Sequence, residues 1–340
     1  MQHEFSEADL ALVHALQLHP RAPWASLAPV LGSSAGALAR RWERLSGAGL
    51  AWVTGYPLAA LSAGAVTALV ELDCDARFLD AVCAALDATP AVVTVEHAAR
   101  GRDLLLTVAA PSFPAVAALV LDELARLPGV TSLRTHVVSR VHVEGSTWRL
   151  DALDTAQRRA VRALAAGAPA GAPAGAVDVT SAVFAPLAAE LARDGRLRAV
   201  ELAARTGRTA STLRRHLGVL LRSGALVLRC DVAQVLTRWP VCATWWCRVP
   251  GPQVDAVVAQ VRREQRVRSC LSLTGPADLV VTAWTGSVAD LARTHAWLER
   301  LLPAGGIADA SVVLRTRKRM GRLLHPDGRA TGEVVPLPLA

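Results

Sequence analysis

Between Thr209 and His216 the chain carries Ser211, Thr212, Arg214, Arg215 and His216 within about two helical turns. Leu213, Leu217 and Leu220 recur at helical spacing through the same stretch, so a helix over 210–222 turns those polar residues outward, with Thr209 as its N-cap. Hydroxyls suit phosphate oxygens and an arginine fork suits guanine, which is the chemistry of a helix entering the major groove of double-stranded DNA. Ser34, Arg40, Arg41 and Arg44 stand in the same way around a helix over 35–47 with Leu38, Trp42 and Leu45 inward. Charge separates the two. Residues 179–235 hold nine Arg against four acids, whereas residues 1–60 hold four against four. An arginine load set by coding bias alone would not differ so much, and the excess points to the second segment as the stronger DNA reader.

A second group is the turn Thr274-Gly275-Pro276-Ala277-Asp278. Glycine there lets backbone amides approach a carboxylate, and the aspartate can hold an amino group, so Thr274, Gly275 and Asp278 are candidate ligand contacts for a small amino-acid-like effector. The bland alternative is a β-turn in which Asp278 bonds its own backbone. The first half offers Arg100-Gly101-Arg102-Asp103, with Asp103 in the equivalent place and the glycine displaced by one. Its extra arginines suit a weaker site or a more acidic ligand. No paired carboxylates, nucleophile–base pair or phosphate-binding glycine loop stands out, so the residues alone predict no enzyme. The six cysteines show no Cys-x-x-Cys pair and no zinc spacing; no metal or cofactor is expected.

These residues sit in a repeated frame. With an offset of 175 and no gap, Arg21 falls on Arg196, Leu27 on Leu202, Gly32 on Gly207, Leu38 on Leu213, Arg40 on Arg215 and Gly49 on Gly224. Further on, Asp103-Leu104 falls on Asp278-Leu279. Each unit opens with three helices (6–18, 24–31 and 35–47; then 180–193, 199–205 and 210–222) and a short extended pair, a winged helix-turn-helix. Strands and helices then alternate. The first copy reads as strand 65–72, helix 76–88, strands 91–97 and 103–109, helix 112–127 and strand 130–138. The second reads as strand 241–248, helix 252–265, strands 267–273 and 278–284, helix 287–302 and strand 308–316. The βαββαβ order is ferredoxin-like, with helices on one sheet face. The bare face calls for a second sheet against it, within the chain or between chains of a homo-oligomer. Trp245 and Trp246 point to opposite faces of their strand, so at least one is expected to be covered by a partner surface or a packed helix.

The expected class is therefore α+β. Winged helix-turn-helix domains occupy 1–58 and 179–235, and ferredoxin-like effector domains occupy 62–145 and 238–320. A helix with an Ala/Gly/Pro linker fills 150–178, and 321–340 is a tail. With 340 residues, 52% hydrophobic and 19% charged, the chain is globular, and its net charge of +8 permits an anionic partner. Residues 1–20 lack a cationic leader, and the 18-residue apolar run from Leu104 to Leu121 is broken by Pro111 and Pro114. A cytoplasmic protein without a membrane span is expected.

Asp194-Gly195-Arg196, Glu201-Leu202-Ala203, Thr206-Gly207, Ser211-Thr212-Leu213-Arg214-Arg215-His216-Leu217 and Ser223-Gly224-Ala225-Leu226, followed by Gly275-Pro276-Ala277-Asp278, resemble the Lrp/AsnC family of transcription regulators, in tandem. The resemblance implies sequence-specific binding of duplex DNA, an amino-acid-related effector between effector domains, and assembly through their sheets. The first copy departs from the pattern, with His19-Pro20-Arg21 and Gly36-Ala37 in two of these places. Two alternatives accompany it: an assembly scaffold that does not bind DNA, and an enzyme similar to haem-precursor decarboxylases, in which His and Arg on the sheet handle substrate carboxylates. For the latter, His97 and Arg100 lie beside the first turn, where the second copy offers Ser272 and Gly275.

Overall fold

The computed structural model describes residues 5–57, 65–166 and 177–338. The first half of the chain forms α1 (Glu7–Leu18), α2 (Trp24–Leu27), α3 (Ala35–Gly47), β1 (Ala51–Pro57), β2 (Val66–Cys74), α4 (Leu79–Ala88), β3 (Val92–Ala98), β4 (Leu104–Ala110), α5 (Phe113–Ala118), β5 (Val130–Val143) and α6 (Thr155–Ala166). The second half forms α7 (Ala185–Arg193), α8 (Ala199–Thr206), α9 (Ala210–Arg222), β6 (Leu226–Val232), β7 (Val241–Cys247), α10 (Val254–Val261), β8 (Val267–Leu273), β9 (Leu279–Thr285), α11 (Val288–Leu301) and β10 (Ile307–Arg319), then β11 (Arg322–Leu324) and β12 (Ala330–Val334). The class is α+β, and the helix-turn-helix and βαββαβ orders each occur twice. Residues 167–176, most of the expected linker, lie outside the described residues, and the expected tail carries two short strands. Two compact units result, and each draws on both halves of the sequence.

Among the described residues, the helical unit combines 5–57, 65, 149–166, 177–233 and 329–338. Ser6 and Asp9 form a capping box at the start of α1, and Ser34 and Thr209 cap α3 and α9 through the amides of Ala37 and Thr212. Leu38, Trp42 and Leu45 of α3, and Leu213, Leu217 and Leu220 of α9, are buried at the expected spacing. The strand after each third helix does not make a local wing. Instead β1 and β6 pair antiparallel with one another from Ala51↔Val232 to Pro57↔Leu226. Two arginines 175 positions apart lock the pair reciprocally: Arg21 donates to the carbonyl of Leu197 at 2.8 Å and Arg196 to that of Ala22 at 3.1 Å. Arg196 also lies 3.9 Å from the centre of the Trp24 ring, and burial beside Arg21 pushes its pKa down to about 10. Gly49, at φ +67°, turns the chain out of α3 where the backbone of Ala330 closes against it, so a side chain there has neither the conformation nor the space.

His14 on α1 is 1% exposed, and its Nδ1 accepts hydrogen bonds from the amides of Ala152 (3.2 Å) and Leu153 (3.1 Å). Burial and the nearby Arg149 and Arg158 push its pKa down to about 4. A pKa depressed on folding favours the fold fully above the unfolded value of 6.5, and that advantage fades as pH falls toward 4. We expect the helical unit to lose on the order of 3 kcal/mol over that window. Thermal melts at pH 7 and pH 4.5 measure the loss, and a His14→Gln variant whose melting drops as much as the wild type's would overturn the assignment.

The sheet unit combines residues 66–148 and 234–328. Its strands run β10-β3-β4-β2-β5-β8-β9-β7, and β7 pairs back onto β10, so the two ferredoxin-like sheets close into one eight-stranded barrel. The expected pairing of sheets is present, but closure comes from strand edges as well as faces. β5 and β10 each run beyond the expected ends at 138 and 316, to 143 and 319, and these extensions cross into the other copy: β5 pairs with β8, and β10 with β3. Helices pack outside. Val70, Leu72, Leu104 and Leu106 face α4 and α5 in the first copy, while Trp245, Cys247, Val281 and Ala283 face α10 and α11 in the second. Leu69, Leu105, Trp246, Leu273 and Val280 form a separate apolar cluster between the two sheets. Trp245 and Trp246 thus do point to opposite faces, both covered. The helix expected over 112–127 is regular only to Ala118 and widens into a π turn over Leu119–Glu123.

Candidate functional site

The structure separates the two expected DNA-reading helices. On α9, Ser211, Arg214 and Arg215 are exposed, Thr212 is half-buried, and His216 packs its ring 5.5 Å from that of Phe184. Thr209 bonds Ser211 and Thr212 through its hydroxyl, and Arg214 and Arg215 form no ion pair among the described residues. On α3, Arg40 is exposed, but Arg41 and Arg44 both bind the carboxylate of Asp9 on α1. Burial of Asp9 opposes its ionisation, yet the Ser6 amide and hydroxyl and the two arginines hold its pKa below the usual value. Two of the four expected contacts of the first copy are thus engaged within the fold.

The expected ligand turns also have internal work. Asp278 accepts the amide of Val249 at 2.8 Å, and Asp103 accepts the amide of Cys74 at 2.8 Å. Each carboxylate fastens its turn to the end of the neighbouring strand, a bond to backbone, though not to its own. Thr274 joins the two copies through the amide and carbonyl of Val137. Gly275, at φ +121°, lies against the imidazole of His136, whose Nδ1 would be 3.1 Å from any Cβ there. His136 belongs to a buried polar group absent from the sequence reading. Arg102, 7% exposed, lies over the Trp246 ring at 3.9 Å and pairs with Glu71 (3.4 Å) and Asp309. Arg134 and His136 reach the same Glu71, at 2.9 Å and 3.4 Å. Opposed charges nearly cancel, which suits an internal ion-pair network more than an anion site.

Two junctions between the copies have more open chemistry. At the first, β3 and β10 place His97 opposite Arg315. The His97 ring is half-buried with Nε2 3.9 Å from Cys83 Sγ on α4, and its other nitrogen has no partner among the described residues. Burial, then Arg315 and Arg317, lower its pKa, opposed by Asp80 and Asp87. Arg317 pairs with Asp87 at 2.6 Å, and Arg100 is exposed nearby on the β3–β4 turn. Cys83 is a poor nucleophile, since burial pushes its thiol up to about 11. At the second junction, β5 and β8 set Arg140 opposite Ser272. His142 Nε2 lies 2.7 Å from Ser272 Oγ, and Arg262 of α10 donates to the His142 carbonyl. An offset of 175 superposes the two: His97 on Ser272, Arg140 on Arg315, His142 on Arg317, Asp80 on Asp255 and Asp87 on Arg262. Sequence reading found His97, Arg100 and Ser272 but missed Arg140 and Arg317, because it ended those strands too early, and did not single out Arg315, which lay inside the expected strand. Among the described residues no His/Cys/Asp/Glu group can hold a metal ion, and no helix is long and apolar enough to cross a membrane.

The comparisons with known proteins bear on both halves. Residues 6–46 match the AsnC-type helix-turn-helix domain and residues 67–148 the Lrp/AsnC ligand binding domain, so the first half carries both. No curated protein matches the chain. Among solved structures, the siroheme decarboxylase NirDL is similar over 93% of both chains, at 16% identity and a TM-score of 0.53. The same enzyme in co-complex with an iron-uroporphyrin III analogue gives 0.54 at the same identity and coverage. Escherichia coli AsnC, at 17% identity, is similar over 40% of this chain and 93% of its own, with a TM-score of 0.32. The full-length likeness shows the fold. It also corrects one expectation: the reading that this chain is no enzyme does not stand, because the structures that match it end to end are those of a decarboxylase.

Proposed function

We propose that the chain is a decarboxylase of a polycarboxylate tetrapyrrole of the siroheme type, acting at the first junction. The supporting observation is a half-buried imidazole with a free ring nitrogen, flanked by arginines from the other copy, in a fold that a siroheme decarboxylase shares along its whole length. Arg315, with Arg100 and Arg317 beside it, receives substrate carboxylates. Loss of the carboxylate of an acetate side chain as carbon dioxide leaves the electron pair of the broken C–C bond on the methylene carbon and the ring system. His97 supplies the proton that completes the methyl group and regains one from water. Its lowered pKa makes it a stronger acid, and bound carboxylates counter that shift by favouring the protonated ring. Incubation with siroheme, followed by mass spectrometry of the product, tests the reading: a loss of 44 Da per event supports it, and unchanged substrate with correctly folded protein overturns it.

A second reading is favoured by α9 alone, whose Arg214 and Arg215 are exposed and unpaired with acids among the described residues. Binding of duplex DNA through that helix predicts that Arg214→Ala or Arg215→Ala weakens selective binding by about 1–3 kcal/mol if either reads a base. Arg44→Ala, at a residue held by Asp9, should do less. Fluorescence anisotropy at two salt concentrations measures both; equal effects of the α3 and α9 substitutions defeat the asymmetry.

A further inference from the structure

We infer that the second junction is a second binding site for the same class of polyanion, one that holds its ligand without decarboxylating it; this rests on the proposed function. The two junctions descend from equivalent positions, and each combines strands of both copies, but their chemistry has diverged. Charge is the first difference. The first junction sets Arg315 and Arg317 against Asp80 and Asp87, and the Arg317–Asp87 pair is close, at 2.6 Å. The second sets Arg140 and Arg262 against Asp255 alone, because the position of Asp87 is taken by Arg262. The Arg140–Asp255 pair is loose, 3.8 Å between two exposed side chains, and neutralises little. Arg262 uses one nitrogen on the His142 carbonyl and has no acid partner among the described residues, so both guanidinium groups remain open to carboxylates. The second junction therefore keeps two arginines open to carboxylates, as the first does with Arg315 and Arg100, but with one acid fewer beside them.

Proton supply is the other difference. His142 is 9% exposed and its Nε2 is engaged with the Ser272 hydroxyl at 2.7 Å. Burial, then Arg140 and Arg262, hold it in the neutral form. The position that carries His97 in the first junction carries Ser272 here, an alcohol that is not an effective acid at neutral pH. A bound carboxylate thus meets two arginines and a hydroxyl but no free imidazole.

An absorbance titration of the full chain with iron-uroporphyrin III tests this beside a siroheme turnover assay. The expected result is two equivalents bound per chain, with Arg140→Ala/Arg262→Ala weakening one of them by at least tenfold in affinity while turnover persists. Ser272→Ala, the milder change, should weaken the same equivalent. A single equivalent in the wild type, with turnover intact, overturns the inference and leaves the proposed function standing. Loss of turnover in a folded Arg140→Ala/Arg262→Ala protein overturns it as well, by making the second junction the reacting one. Neither binding nor turnover in the wild type defeats both readings.

Discussion

Replacing His97 by glutamine is expected to lower kcat for carbon dioxide release about 10²- to 10⁴-fold, with KM changed little. The split follows from the division of labour at the first junction: arginines hold the carboxylates, while the imidazole contributes its proton only as the C–C bond breaks. Glutamine keeps a hydrogen-bonding side chain of similar reach but has no transferable proton at neutral pH. Arg315→Ala should show the opposite split, a raised KM with a smaller effect on kcat. The pH profile gives a second readout. His97 must be protonated to act, and burial with Arg315 and Arg317 lowers its pKa below 6.5 in the free protein. The ratio kcat/KM should therefore fall as pH rises through a midpoint below 6.5. The fall in kcat should come at higher pH, because bound carboxylates restore the proton's affinity. Steady-state rates from pH 5 to 9 test this; a flat profile, or a His97→Gln enzyme with wild-type kcat, removes His97 from the chemistry.

The other large effect is on stability. Arg102→Ala is expected to cost about 2–3 kcal/mol, because it removes the one fully buried cation beside Glu71 and Asp309 and uncovers the Trp246 ring, leaving Glu71 to Arg134 and His136. Arg134 reaches the same Glu71 carboxylate from a side chain that is 41% exposed, and Arg134→Ala should cost about 1 kcal/mol or less. Amide hydrogen exchange along β2 and β4 reads the sheet unit directly, without requiring the two units to unfold together. Equal losses of protection in the two variants would show that burial does not set the balance.

The sequence disclosed the parts of the fold that obey periodicity. Leu38, Trp42 and Leu45, Leu213, Leu217 and Leu220, and the opposed Trp245 and Trp246 are all where their spacing puts them. It failed where strands outrun their apolar pattern. Ser139-Arg140-Val141-His142 and Arg317-Lys318-Arg319, beyond the expected ends at 138 and 316, carry too little hydrophobic alternation to read as strand, yet they are held extended by hydrogen bonds to β8 and β3. Lys318, the only lysine, is an instance: it is fully buried, and its ammonium caps the end of α4 through the carbonyls of Asp87 and Thr89, with burial pushing its pKa down to about 8. No local signal marks such a residue, because its partners lie some 230 positions away in the chain. Arg140 and Arg317 sit on the same extensions, so the candidate site was half legible: the imidazole and Arg100 were visible, and the arginines brought to it from the other copy were not. Asp103 and Asp278 were legible as turn residues, but their bonds to the amides of Cys74 and Val249 were not, since an aspartate that ties strand ends together looks the same in sequence as one that awaits a ligand.

The closed barrel has a consequence for what such a surface is allowed to contain. A pair of identical subunits meeting across a twofold axis must present every contact residue twice, so a carboxylate near the axis faces its own image and has to be neutralised or removed. One continuous chain is free of that rule. Glu71 has Trp246 as its counterpart and meets it by way of Arg102, Arg134 has Asp309, and His136 has Ser311, each pair 175 positions apart and none alike. An asymmetric arrangement of acid, base and indole at the centre of the barrel is available only to joined halves, and severing the chain between them while keeping both pieces would preserve it only as a strict heterodimer.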